Sequence, residues 1–143
     1  MTEFQRFLAF DVGDRRIGIA VSDLLGITAQ PVETYTRTDD EERDIRYLLS
    51  VAEKYAPVRL VFGMPRNMNG TYGPQAEKVK AFAGKLLEHW DGEFDFYDER
   101  LTTVTAERIL LEADVSRKKR KKVVDKIAAV VILQGYMDSR RYV

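Results

Sequence analysis

The sequence predicts an α/β domain built on a mixed five-stranded sheet flanked by helices on both faces. Three observations predict it. Two short strand-like runs near the N-terminus are separated by a link so brief that a hairpin is the natural connection. Strand-like and helical runs then alternate, the pattern of parallel βα units with right-handed crossovers. And a chain of 143 residues, 45% apolar and 32% charged, carries enough apolar sequence for one core.

The elements follow in order. Phe7 to Asp11 is an apolar run bounded by Gly13 and reads as a buried strand. In Arg16 to Ser22, bulky Ile17, Ile19 and Val21 alternate with small Gly18, Ala20 and Ser22, giving a second strand with one bulky and one small face. Ile27 to Tyr35 reads as a third strand, which Pro31 assigns to a sheet edge or a bulge. Thr38 and Glu41 fit a capping box ahead of a helix carrying Ile45, Leu48, Leu49 and Ala52, which Pro57 ends. Arg59 to Phe62 is the fourth strand, stopped by Gly63 and Pro65. A second helix carries Val79, Phe82, Ala83, Leu86, Leu87 and Trp90 on one face, and Phe94 to Tyr97 is the fifth strand. Helices over Thr103–Ala113 and from about Arg117 to Asp138 complete the chain, which is read as one domain over residues 1–143.

Composition excludes several chemistries. There is no cysteine, hence no disulfide, thiolate metal site or cysteine nucleophile, and the single histidine, His89, excludes sites that need two. His89 beside Trp90 reads as structural. No apolar run approaches the ~20 residues of a membrane span, and the N-terminus lacks the pattern of a signal peptide, so a cytoplasmic protein with no membrane partner is expected. The net charge is zero but divided: residues 1–99 carry 12 Lys and Arg against 18 Asp and Glu, whereas residues 100–143 carry 11 against 5. Such asymmetry is a hint of nucleic-acid contact.

Four acids need an explanation. Asp11 ends the first strand, either as an Asx-turn residue or as a functional carboxylate. Asp98 and Glu99 end the fifth strand, where functional groups of parallel sheets collect, although a helix cap serves as well. Asp125 lies on a helix with Ala128, Ala129 and Ile132 on its side; a buried unpaired charge there would be costly, while Lys121 and Lys122 offer a local ion pair. With the first strand central and the fifth close to it, both strand ends reach one edge, and the last helix can bring Asp125 there. Three converging carboxylates without histidine or cysteine select a hard divalent ion, Mg²⁺ or Mn²⁺, which serves phosphoryl chemistry.

Four motifs in order resemble one family. FDVGDRRIGIAVSD at 10–23, LVFGMPRNMNGTYGPQA at 60–76, DERLTT at 98–103 and SRKKRKKVVDKIAAVVILQGY at 116–136 are similar to the hairpin, glycine loop and last two motifs of the YqgF/RuvX family of pre-16S rRNA nucleases and Holliday junction resolvases. The resemblance spans essentially the whole chain. It implies a ribonuclease H-like fold, with Asp11, Glu99 and Asp125 as catalytic acids that hold Mg²⁺ or Mn²⁺.

The expected nucleic-acid contacts are cationic. Arg117, Lys118, Lys119, Arg120, Lys121 and Lys122 form an unbroken run at a helix start, where like charges repel and the helix dipole is unfavourable to cations. That local conflict points to phosphate contact, against the plainer reading of a solvated helix end. The loop Gly63–Pro74 can approach a phosphate closely and adds Arg66 and Asn67 as donors, but it lacks the G-K-[ST] of a Walker motif. Arg15 and Arg16 adjoin Asp11 and can anchor a phosphate or pair with the acids. Thr102 and Thr103 are helix-cap or substrate donors, and Tyr72 and Tyr97 are core or base-stacking aromatics.

The expected function is metal-dependent hydrolysis of nucleic-acid phosphodiesters at the 5′ end of pre-16S rRNA, with precursor rRNA and ribosomal precursor particles as partners. A Holliday junction resolvase acting on branched DNA is the alternative, and symmetric cutting would then call for a homodimer. The rivals are a non-catalytic nucleic-acid-binding module and an ATP-handling domain. The chain is far shorter than the sugar kinases and actin that share the D-x-G hairpin.

Overall fold

Alternation between bulky and small residues builds the first hairpin. A computed structural model of the chain describes residues 5–65, 71–98 and 117–141, with side chains of the last helix described over 127–140. Strands β1 (Arg6–Val12) and β2 (Arg16–Ser22) pair antiparallel from Leu8–Val21 to Val12–Ile17. The Gly13 N–H donates to the Arg16 carbonyl at 2.8 Å to close the turn. A Cβ on Gly13 would stand 2.8 Å from that same oxygen, so the turn has no room for a side chain.

Strand β3 (Ala29–Thr36) adds to β2 as the sheet edge, and the pairing skips a residue between Ile19–Glu33 and Ala20–Pro31. Pro31 therefore sits both on an edge strand and at a bulge, where its missing N–H costs no ladder bond. The strand begins at Ala29 instead of Ile27, because the Asp23 carboxylate accepts the N–H groups of Ile27 (2.7 Å) and Thr28 (3.2 Å) and keeps them in the loop. Strand β4 (Val58–Met64) runs parallel to β1, and β5 (Phe94–Asp98) runs parallel to β4. Gly63 does not stop β4 as the sequence suggested: Gly63 and Met64 pair with Tyr97 and Asp98. The order is β3-β2-β1-β4-β5.

Helix α1 (Glu41–Tyr55) is capped by Asp40, whose carboxylate accepts the Arg43 N–H at 3.3 Å. The capping box expected at Thr38 does not form. The Thr38 hydroxyl instead accepts the Asp40 N–H at 3.1 Å and lies 3.0 Å from Asp44 Oδ1. Helix α2 (Pro74–Leu87) opens on Pro74, where a missing N–H does no harm, after Gly73 at the cap position. Trp90 lies beyond its end, with the indole N–H donating to the Glu93 carbonyl. Helix α3 (Arg117–Arg141) runs three residues past the expected end. The helix expected over Thr103–Ala113 lies outside the described residues.

Two apolar layers enclose the sheet. On one face Leu8, Phe10, Ile19, Leu60 and Phe62 pack against Leu48 of α1 and Phe82 and Leu86 of α2. Each large side chain buried there contributes about 1.5–3 kcal/mol. On the other face, small Ala9 and Ala20 with Val61 accept Ala129, Ile132, Leu133, Tyr136 and Met137 of α3. The small side of RIGIAVS is thus the side on which α3 lies. Polar pins hold that helix in place. Gln134 accepts the Ala29 N–H at 3.0 Å and donates to the Ile27 carbonyl at 2.9 Å, and the Tyr136 hydroxyl donates to Asp95 at 2.9 Å.

Candidate active site

Asp11 is the penultimate residue of β1, at the carboxyl end of the sheet's central strand. It stands directly opposite Gly18 in the ladder with β2. The β1–β4 register runs from Arg6–Val58 to Phe10–Phe62, so the residue beside Asp11 on its other flank is Gly63. Directly paired positions share a face of the sheet. Strand alternation puts Asp11 on the face of Ala9, the α3 face, since Phe10 belongs to the opposite core. Asp11, half-buried, therefore stands between two glycines, so no Cβ lies directly across from it on either neighbouring strand.

The acids of β5 divide. Asp98 is the last residue of that strand and pairs with Met64; alternation from Phe96 puts it on the α1–α2 face, away from Asp11. Glu99 lies outside the described residues. Asp125 falls within α3 one turn before Ala128 and Ala129, and its side chain is outside the described residues. Among the described residues no group of three or more histidine, aspartate or glutamate side chains comes together.

Arg15 is exposed and Arg16 half-buried, both in or beside the turn that follows Asp11. Arg66 and Asn67 lie outside the described residues. Arg117, Lys118, Lys119, Arg120, Lys121 and Lys122 form the first turns of α3, and their side chains are outside those described. Tyr72 is exposed at 53% beside a cavity of about 240 Å³ that it lines with Met64, Glu77, Lys80 and Phe96. Tyr97 packs edge-on against Tyr136 instead, with ring centroids 6.0 Å apart. His89 is exposed just past α2 and takes no part in either core, although its N–H donates to the Leu86 carbonyl. Thr102 and Thr103 lie outside the described residues. No helix among those described is long and apolar enough to cross a membrane.

Sequence reasoning missed a buried ionic group behind the hairpin turn. Asp44 of α1 is fully buried. Its Oδ1 accepts hydrogen bonds from the Tyr35 hydroxyl (2.8 Å) and the Thr38 N–H (3.0 Å), and its Oδ2 lies 3.7 Å from Arg37 Nε. Burial pushes this carboxyl up, but the Thr38 N–H, the Tyr35 and Thr38 hydroxyls and the Arg37 charge outweigh burial and hold it below the ordinary carboxylate value. No motif marks Asp44, which is one of several acids around the start of α1.

Sheet order and helix placement define an α/β domain of the ribonuclease H-like class. A solved structure of RuvC from T. thermophilus, in complex with a Holliday junction substrate, superposes with a TM-score of 0.60 over 96% of each chain at 12% identity, a likeness of fold. Residues 5–139 match the model of a family described as RuvX, Holliday junction resolvase, and the chain belongs to that family. A relative from Clostridium botulinum is 54% identical over 134 residues, covering 94% of this chain and 97% of its own. One from Symbiobacterium thermophilum is 54% identical over 135 residues, covering 94% and 93%. Both bear the name "Putative pre-16S rRNA nuclease".

Proposed function

We propose that this protein is a divalent-metal-dependent nuclease, and that Asp11, Glu99 and Asp125 hold Mg²⁺ or Mn²⁺ against a backbone phosphodiester. The observation that carries the reading is Asp11 itself, a half-exposed carboxylate at the carboxyl end of a central strand, flanked on both sides by glycine. The donor set fits a hard ion, because carboxylate oxygens suit Mg²⁺ and Mn²⁺. The dimensions of α3 support a role for Asp125. Tyr136 packs against Phe7 near the start of β1, with ring centroids 5.7 Å apart. Eleven helical residues back to position 125 cover about 16 Å, and four strand residues from Phe7 to Asp11 cover about 13 Å. The two lengths are close, so an α3 aligned along β1 would bring position 125 near the level of Asp11, which supports this reading.

When bound, such an ion lowers the pKa of an attacking water and stabilises charge on the phosphate. The residues of the chain do the rest. Asp11, Glu99 and Asp125 supply the oxygen ligands. Arg15 and Arg16, Arg66 and Asn67, and the run from Arg117 to Lys122 grip the strand through its phosphates, a mode that fixes position and carries little sequence information.

The substrate we favour is the 5′ region of precursor 16S rRNA, a step of ribosome biogenesis in the cytoplasm, supported by the names of the relatives at 54% identity. The family's description supports a second substrate, a four-way DNA junction cut by a pair of subunits. Presenting both to the purified protein with Mg²⁺ or Mn²⁺, and mapping the cut sites, decides between them. A single cut near the mature 5′ end of the RNA establishes the first reading. Paired symmetric nicks in the junction establish the second. Binding of both without cutting of either would overturn the nuclease reading for these substrates.

A further inference from the structure

The buried Asp44 does not end its interactions at α1. Its Oδ2 makes no hydrogen bond and faces the Arg37 guanidinium at 3.7 Å. Arg37 reaches on from there. Its Nη1 donates to the Gly13 carbonyl at 2.8 Å, and its backbone N–H donates to the Arg15 carbonyl at 2.8 Å. The guanidinium also lies over the Phe82 ring, 4.8 Å from the centroid, and its Nη2 is 3.4 Å from Glu41. One residue thus joins a buried carboxylate to both halves of the turn that follows Asp11, by its side chain at Gly13 and by its backbone N–H at Arg15. Gly13, which it grips, is two residues from Asp11, and the same turn leads through Arg15 and Arg16 to Gly18.

Stability alone explains this arrangement poorly. A buried ion pair exchanged for well-packed apolar side chains often leaves a fold as stable as before. A rigid guanidinium fork with one arm on a buried anchor does what an apolar pair cannot: it fixes a backbone carbonyl in space. We propose that Arg37, anchored by Asp44, is a positioning residue of the metal site. It holds the β1–β2 turn so that the Asp11 carboxylate and the Arg15–Arg16 backbone keep the geometry that metal and phosphate require. The inference rests on the metal-binding role proposed for Asp11.

The test is titration of the protein with Mn²⁺ followed by electron paramagnetic resonance, alongside thermal melting. The wild type is compared with Asp11→Asn, with the double variant Arg37→Met/Asp44→Leu, and with Arg37→Lys. The double variant removes both buried charges together, so neither is left uncompensated. Arg37→Lys keeps the charge, but a single ammonium cannot reach Asp44 and the Gly13 carbonyl as a fork does. The expected result is a double variant that melts close to the wild type and binds Mn²⁺ about tenfold to a hundredfold more weakly, the range seen when groups supporting metal ligands are removed. Its kcat falls by a similar factor, with KM for the nucleic acid nearly unchanged. Arg37→Lys shows the same loss in smaller degree, and it decides the matter should the double variant not fold. Wild-type Mn²⁺ affinity in a folded variant overturns the positioning role. A wild type that binds no Mn²⁺, or an Asp11→Asn protein that binds it equally well, overturns the underlying reading of Asp11, and the inference with it.

Discussion

Asp11 and Gly18 stand directly opposite each other in the β1–β2 ladder, and the glycine leaves no Cβ at the position directly across from the carboxylate. A Cβ at position 18 would point to the same face as Asp11. Gly18→Ala is expected to lower metal-dependent cleavage at least tenfold while changing stability by no more than about 1 kcal/mol, the span of strand propensities. Activity assays and melting curves on the same preparation check it. A fall in melting temperature with full activity would assign the gap to the packing of α3 instead.

Gly135 of α3 lies against Tyr97 of β5. A Cβ there would come within 2.8 Å of the Tyr97 hydroxyl oxygen and 3.3 Å of two ring carbons. Alanine would gain about 1 kcal/mol in helix propensity, but overpacking costs about 1–3 kcal/mol. Gly135→Ala is therefore expected to destabilise the fold by about 1 kcal/mol, as a drop of a few degrees in Tm. In a Tyr97→Phe background, which removes the nearest atom, the penalty should shrink. An equal penalty in both backgrounds would contradict the contact.

Asp44 sets an acid limit on stability. Its carboxyl is held below the ordinary value, so its stabilising contribution is complete above the unfolded-state pKa near 4 and is lost as the pH falls through the lower folded value. Urea unfolding is expected to show wild type more stable than Asp44→Asn by about 2 kcal/mol at pH 6, the scale of hydrogen bonds to a charged group. The gap should close in acid below about pH 4. A gap independent of pH would mean that the charge of Asp44 contributes nothing.

The cationic run makes a prediction about salt. Changing Lys118, Lys119 and Lys122 to glutamine should weaken nucleic-acid binding uniformly across sequences. For a single strand, three lost phosphate contacts reduce the slope of log K against log salt by about 2. Fluorescence anisotropy at several salt concentrations reads this directly. An unchanged slope would leave the run as a solvated helix start.

Much of the sheet was legible because its signals are local. The alternation of RIGIAVS gave β2 its bounds and announced the small face that α3 covers. Pro31 marked an edge or a bulge, and the strand has both. What escaped depends on partners distant in sequence. Nothing near Gly63 says that β4 continues; its pairing with Tyr97 does. The pattern at Thr38 fits a capping box, yet Asp40 caps the helix while Thr38 turns to Asp44. Several acids surround the start of α1, and which of them is buried depends on Tyr35 and Arg37 of the preceding segment. At the candidate site, Asp11 was legible as an acid ending an apolar strand. Its glycine flanks come from two different neighbouring strands, and only sheet order brings them together. Strand phase sets Asp98 on the α1–α2 face, away from Asp11, while Glu99, the acid that the resemblance implies, lies outside the described residues.

In the proposed function, Asp11 and Asp125 hold a divalent ion for phosphodiester hydrolysis. The most direct test is cleavage of a pre-16S 5′ fragment by the wild type, Asp11→Asn and Asp125→Asn in Mg²⁺ or Mn²⁺ and in EDTA. The expected result is cutting by the wild type that EDTA abolishes, and a loss of at least a hundredfold in each folded variant. Cutting that survives EDTA, or that persists in both variants, would contradict it.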